Sequence, residues 1–248
     1  MLSKSVIKYI QSLQQKKFRD EHKVFVAEGT KVVGDLIKHN AFQLQAVYCL
    51  SSFYFKYKEM LPEDQVHLIN EQELEKIAHL HTPNEVVAIF YQCSVQQVKE
   101  ISGSITLLLD DIRDPGNLGT IIRTADWFGI KNIVCSKSCV EMYNPKVVQS
   151  TMASLGNVNI LYTNLEEWIK QHPNIPLYAA TLYGESLNEK TAVKEALLLI
   201  GNESKGISSS LIPLVHHPVM IKGFGNAESL NAAIAAGILI YSFQQRLI

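Results

Sequence analysis

Five short apolar runs constrain this chain more than any other feature: SITLLLD (104–110), NIVC (132–135), PLYAAT (176–181), ALLLIG (196–201) and PVMIK (218–222). Their apolar residues follow one another instead of alternating, so both faces of each strand need cover, as in a parallel sheet. A loop and a helical pattern follow each run, and parallel neighbours require such crossover connections. The expectation is a doubly wound α/β domain with a mostly parallel sheet. Ahead of it, between Val24 and Gln92, the runs VFVA, AVYCL, VHLI and VVAIFY alternate with amphipathic segments such as GTKVVGDLIKHN and EQELEKIAHL. That pattern predicts a smaller α/β unit of about four strands. The polar stretch QQVKEISGS (96–104) is the best linker candidate, which places the boundary near residue 100 and the two domains at 1–100 and 101–248.

Composition narrows the classes. With 47% hydrophobic and 19% charged residues the chain can bury a core and lacks the signature of disorder. Cys49, Cys93, Cys135 and Cys139 are too few for a disulfide scaffold and form no CxxC pair. Cys135 and Cys139 are read as buried thiols, and no metal is expected. The amino terminus has no continuous apolar run of the kind a signal peptide carries. Ala232 to Tyr241, the longest apolar stretch, is about half of the ~20 residues that span a bilayer. A soluble cytoplasmic protein without membrane contact is expected. The formal net charge of −1 gives no argument for a nucleic-acid partner, but residues 1–40 hold eight basic side chains against four acids. Within that stretch Lys16, Lys17, Arg19 and Lys23 form a candidate phosphate-facing surface; charge alone favours the plainer reading, an ordinary solvated helix.

Three polar loops carry the chemistry. In LLLDDIRDPGNLGTIIRTADWFG a buried strand ends at Asp110 and Asp111, and Asn117 is placed at the N-cap of a helix that Gly129 closes. Leu118, Ile121, Ile122, Ala125 and Phe128 form its apolar face. Arg123 falls about 140° from Leu118 and within i+3 reach of Asp126, so a surface ion pair is its bland explanation. Its position beyond the carboxyl end of a strand favours a ligand role instead. The second loop, ALLLIGNESKGIS, puts Gly201, Asn202, Glu203 and Gly206 at the end of another strand. The third, PVMIKGFGNAESLNAAIAAGILIYSF, carries Gly223 and Gly225, with Ser229 as the expected cap of a small-residue helix. It begins like a dinucleotide fingerprint, but Glu228 stands where the third glycine belongs and no acidic ribose-binding strand can follow. A nicotinamide dehydrogenase is therefore set aside.

In this order, NLGTIIRTADWFG, LLLIGNESKGIS and AESLNAAIAAGILIY resemble the three motifs of the SpoU (TrmH-like) RNA ribose 2′-O-methyltransferases of the SPOUT superfamily. The resemblance covers about 145 residues. The opening KKFRDEHKVFVAEGTKVV is similar to the ribosomal-protein-like module that many members carry in front of the catalytic domain. What the resemblance implies is a small α/β substrate-binding domain followed by a catalytic domain threaded into a trefoil knot. It further implies a homodimer, with S-adenosylmethionine as cofactor and RNA as substrate, ribosomal RNA ahead of transfer RNA. By matching position, Asn117, Arg123, Glu203, Ser229 and Asn231 are the implied catalytic residues. Gly201, Ile221 and Leu230 would meet the cofactor, with Asn202, Gly206, Thr181 and Leu182 beside them. The chain departs from the family pattern at Lys222 and Gly223, where Pro and Met are usual, and at Ala232 and Ala233. A non-catalytic RNA-binding or ribosome-assembly protein that keeps the fold is the alternative from another class.

Overall fold

Lys4–Ser12 (α1) and Lys16–His22 (α2) lead into a four-stranded sheet made by Val24–Glu28 (β1), Leu44–Cys49 (β2), Val66–Leu68 (β3) and Val86–Tyr91 (β4). The strand order is β1-β4-β2-β3, with β4 antiparallel to both β1 and β2, and β3 parallel to β2. Thr30–Lys38 (α3), Ser51–Tyr57 (α4) and Glu71–Ile77 (α5) connect the strands. Local sequence explains the starts. Asn70 and Glu73 form a reciprocal capping box that satisfies two otherwise orphaned N–H groups of α5. One side of the sheet packs Val24, Val26 and Ile89 against Ile10, Leu13, Leu74 and Ile77. The computed structural model describes residues 1–80, 82–93, 98, 101–186 and 193–245, so part of the proposed linker, 96–97 and 99–100, lies outside the described residues.

Every strand pair in the second sheet is parallel. Ile105–Leu109 (β5) runs into Pro115–Trp127 (α6), then Asn132–Ser136 (β6), Pro145–Thr151 (α7), Asn159–Thr163 (β7) and Leu165–Lys170 (α8). Leu177–Ser186 (β8), Ala196–Ile200 (β9), His217–Met220 (β10) and Ala232–Gln244 (α9) complete the described chain. The order is β10-β8-β9-β5-β6-β7. Central β5 and β9 are buried throughout, which matches their unbroken apolar sequences. The α/β class and the parallel sheet therefore follow the expectation. The strand β7 goes beyond it: NILYT is a half-buried edge strand and lacks the continuous apolar run that marks the others. From β5 the chain proceeds to β6 and β7 on one side, while β9, β8 and β10 lie on the other. Between β5 and β9 the winding changes sides, and ligands of open α/β sheets bind beyond the carboxyl ends of strands at such a switch point.

By contact the chain separates into two units, residues 1–95 with 142–156 and residues 96–141 with 157–248. The second stretch of the first unit has clear anchors there. The Tyr143 ring stacks on Phe25 with centroids 4.9 Å apart, and its hydroxyl accepts a hydrogen bond from the Cys93 N–H at 3.0 Å.

Two helix starts differ from expectation. Asp114, not Asn117, caps α6: its carboxylate accepts the Asn117 N–H at 2.8 Å, and Pro115 occupies the first helical position, where its missing N–H costs nothing. Asn231, not Ser229, caps α9, accepting from the N–H groups of Ala233 and Ile234. Apolar periodicity marks the body of a helix and leaves its first turn open. Helix α9 is apolar all round. It buries Ala232, Ala233, Ala236, Leu239, Ile240 and Phe243, but leaves Ile234, Ile238 and Tyr241 exposed. Among the described residues no helix is long and apolar enough to cross a membrane.

Candidate active site

The loop after β5 is held by its own carboxylates. Asp110 accepts the Ser208 N–H at 2.7 Å, and Asp111 accepts the Arg113 Nε–H at 2.7 Å. Asp111 adopts a left-handed backbone, φ 57°, which is uncommon outside glycine. Burial pushes its carboxyl upward, but the hydrogen bonds from Arg113 and Ser138 and the charges of Arg113 and Lys205 outweigh this and hold it below the usual range.

The loop after β9 is a tight turn. Asn202 and Gly206 exchange backbone hydrogen bonds of 3.0 and 2.9 Å, and the Asn202 side chain accepts from the N–H groups of Ser204 and Lys205. Asn202 also donates to the Asp111 carbonyl at 2.8 Å, tying the two strand-end loops together. Gly201 is required here: a Cβ would lie 2.5 Å from the Gly206 carbonyl carbon and oxygen. This turn aims Glu203 at the start of α9.

There the three loops meet. One carboxylate oxygen of Glu203, Oε1, accepts from Asn117 Nδ2 at 2.6 Å, from Asn231 Nδ2 at 2.7 Å and from the Ala232 N–H at 3.1 Å. Asn231 Nδ2 also donates to Asn117 Oδ1 at 2.9 Å. The acidic group thus sits at a helix N-terminus, where the dipole favours it. Residues separated by 86 and 114 positions in sequence form one polar cluster.

The other expected site residues are placed differently. Arg123 projects from α6 into solvent, and among the described residues it has no ion pair; Asp126 instead accepts from Asn157 at 3.0 Å. The helix pair that would have explained this arginine away is not formed. Ser229 and Leu230 are exposed on the loop before α9, with Ile221 partly exposed where that loop begins. Thr181 and Leu182 lie in a bulge of β8, where the register with β10 jumps from Ala179–Pro218 to Glu185–Val219; the Thr181 hydroxyl donates to the Tyr183 carbonyl. On the first unit, Lys16, Lys17 and Lys23 are exposed, Lys16 paired with Asp20. Arg19 is a correction: it is only 2% exposed and its guanidinium donates to the carbonyls of Leu13 and Gln14 at 2.7 and 2.6 Å. It builds the turn between α1 and α2 and offers no surface to a phosphate.

Sequence reasoning gave no site role to Asp111, Arg113 and Asp114, which set the entry to α6. The signal available was the DPG turn, since Asp before Pro is a cap signature. As for a cofactor, Lys222 to Leu230 make no backbone–backbone hydrogen bond among the described residues, so a run of peptide donors and acceptors stands open beside Asn231. Such a loop fits a ligand held chiefly through main-chain groups.

Similarity to known proteins agrees with this geometry. The profile of the SpoU rRNA methylase family matches residues 104–241, and that of the MRM3-like substrate binding domain matches residues 4–88. The chain is 26% identical to the 23S rRNA (guanosine(2553)-2′-O)-methyltransferase RlmP of Bacillus subtilis, over 95% of this chain and 94% of that one. Among solved structures, the AdoMet-bound rRNA methyltransferase from Sinorhizobium meliloti superposes with a TM-score of 0.86 at 31% identity, covering 100% of this chain and 97% of the other. A TrmH-family protein of Porphyromonas gingivalis gives 0.87 at 30% identity, with 99% of each chain covered. With its three motif loops joined through Asn117, Glu203 and Asn231, this chain belongs to the SpoU rRNA methylase family.

Proposed function

We propose that this protein transfers a methyl group from S-adenosylmethionine to a ribose 2′-hydroxyl of ribosomal RNA, most naturally of the large subunit, in the cytoplasm. The observation that carries this reading is the hydrogen-bonded cluster of Asn117, Glu203 and Asn231, which draws one polar residue from each motif to the switch point of the sheet. The named activity of the Bacillus subtilis relative, which matches over nearly the whole of both chains, supports the substrate class. RNA in place of DNA follows from the chemistry, since the acceptor hydroxyl exists only in RNA.

The cofactor, when bound, supplies an electrophilic methyl on a sulfonium that is already a good leaving group. Gly201, Asn202, Gly206, Ile221 and Leu230 would hold it, through the turn after β9 and the open peptide groups of the loop before α9, with Thr181 and Leu182 alongside. The protein's own task is to align the hydroxyl and ease the release of its proton to solvent as the methyl group arrives. The Arg123 guanidinium is a planar fork of donors with no acceptor, so this residue acts by binding a phosphate bidentately and orienting or acidifying the adjacent hydroxyl. Asn117 and Asn231, locked by Glu203, fix the cradle in which that hydroxyl sits, and Ser229 reaches it from the loop. The division of labour assigns residues 1–100 to RNA binding, with Lys16, Lys17 and Lys23 facing phosphates, and 101–248 to catalysis in a knotted fold. The exposed stripe Ile234, Ile238 and Tyr241, with Trp127 at 84% exposure, is the face on which a second copy would dock.

The deciding measurement is nucleoside mass spectrometry of fractionated RNA from cells with and without this gene. Loss of one 2′-O-methyl nucleoside from ribosomal RNA, not restored by an Arg123→Ala copy, is the expected result. Loss from transfer RNA would keep the chemistry and overturn the substrate; no loss in either fraction would leave a binding protein.

A further inference from the structure

The loop from Ile221 to Leu230 contains one side chain that neither the cluster nor the fold accounts for. Phe224 is 89% exposed, while every phenylalanine inside the strands of this protein is buried. Leaving a large apolar ring in water forgoes the stabilisation that burial gives, so an uncovered ring in a polar loop asks for an occupant. The ring is not bare: the Lys222 ammonium lies over it, 5.3 Å from the centroid. Glycines on both sides, Gly223 and Gly225, have nothing within 4 Å of where a Cβ would stand, so neither flank of the residue packs against another part of the chain. Seven residues on, the same loop delivers Asn231 to the Asn117–Glu203 cluster, which limits the separation to about 25 Å even for a fully extended chain.

We propose that Phe224, with Lys222, forms a stacking platform for a nucleobase of the substrate RNA close to the methylated nucleotide. An exposed aromatic face with an adjacent cation is the chemistry that single-stranded RNA recognition uses: the base stacks on the ring and the ammonium meets the phosphate that the base carries with it. Stacking tolerates any base, so Phe224 positions the strand and leaves the choice of nucleotide to other contacts. The inference rests on the methyltransferase reading above.

The test uses the purified full-length chain, ribosomal RNA from cells lacking the gene, and radiolabelled S-adenosylmethionine. Phe224→Ala should raise the KM for RNA by about 5- to 150-fold, the range that loss of one base–aromatic stack gives. Phe224→Tyr should recover most of it, and cofactor affinity measured calorimetrically without RNA should stay within about twofold. An unchanged KM overturns the proposal, as does a parallel fall in cofactor affinity, which would place the ring in the cofactor site. If the wild-type protein transfers no methyl group to this RNA, the functional reading fails, and Phe224→Trp decides the platform separately. Its added fluorescence, with the wild-type signal subtracted, should be quenched by the ribosomal RNA and not by duplex DNA; absence of quenching disposes of the platform.

Discussion

Two arginines show how little residue type alone says about role. Arg123 is exposed and, among the described residues, without an ion pair, whereas Arg19 is sealed against the carbonyls of Leu13 and Gln14. Their variants should therefore fail in opposite ways. Arg123→Ala should leave the melting temperature unchanged and cut methyl transfer by about 100-fold or more, the scale of misplacing the reacting hydroxyl. Arg123→Lys should restore little, because a single ammonium cannot reproduce the planar fork; tritium transfer to RNA and a thermal melt measure both. Arg19→Ala leaves two carbonyls without their charged donor, and chemical denaturation should show a loss of about 1–3 kcal/mol. By contrast, Lys17→Ala and Lys23→Ala should spare stability and flatten the salt dependence of RNA binding, by roughly 0.7 in the log–log slope for each phosphate no longer neutralised.

At the level of elements, helix starts do as much as helix bodies. Glu73 both completes the capping box of α5 and accepts the Leu2 N–H at 2.5 Å. The backbone N–H groups of Leu2 and Asn70 are the main reasons its carboxyl is held below the ordinary range, with the amino terminus and Lys76 assisting against the opposing effect of burial. A carboxyl lowered in the folded state stabilises in full above its unfolded value, ~4.3, and that stabilisation disappears as pH falls through the folded value. Glu73→Gln should therefore be less stable than wild type near pH 7, and the gap should close as the pH drops below about 4, as read by urea unfolding at the two pH values. Asn231 has a double duty of the same kind, since its carbonyl caps α9 while its amide joins the site. Ser and Asn both serve as caps, so sequence preference alone could not choose between Ser229 and Asn231; the Glu203 carboxylate, which engages the amide, makes the choice.

For the whole molecule, the surface that stands out is the unburied side of α9. Ile234, Ile238 and Tyr241 recur at i, i+4 and i+7, and a soluble chain rarely leaves such a stripe exposed without a partner. If this is the proposed dimer face, Ile234→Glu combined with Ile238→Glu should convert a dimer into a monomer in sedimentation velocity, because each copy would bring two uncompensated charges into an isologous contact. A wild-type monomer at micromolar concentration would overturn the assignment.

Sequence by itself determined the α/β class, the parallel sheet and the order of the three motif loops. Unbroken apolar runs such as LLLIG have one economical use, a strand covered on both faces, and that information is local. The edge strand β7 escaped because an edge needs cover on fewer sides and so carries a weaker signal. Only the tertiary structure decided which polar residues meet. Asn117, Glu203 and Asn231 are far apart along the chain, and nothing in their spacing fixes a 2.6–2.9 Å network. The same holds for the burial of Arg19 and the exposure of Arg123. A charged side chain's fate depends on whether folding brings a carbonyl or a carboxylate to it, and that is a property of contacts between distant segments.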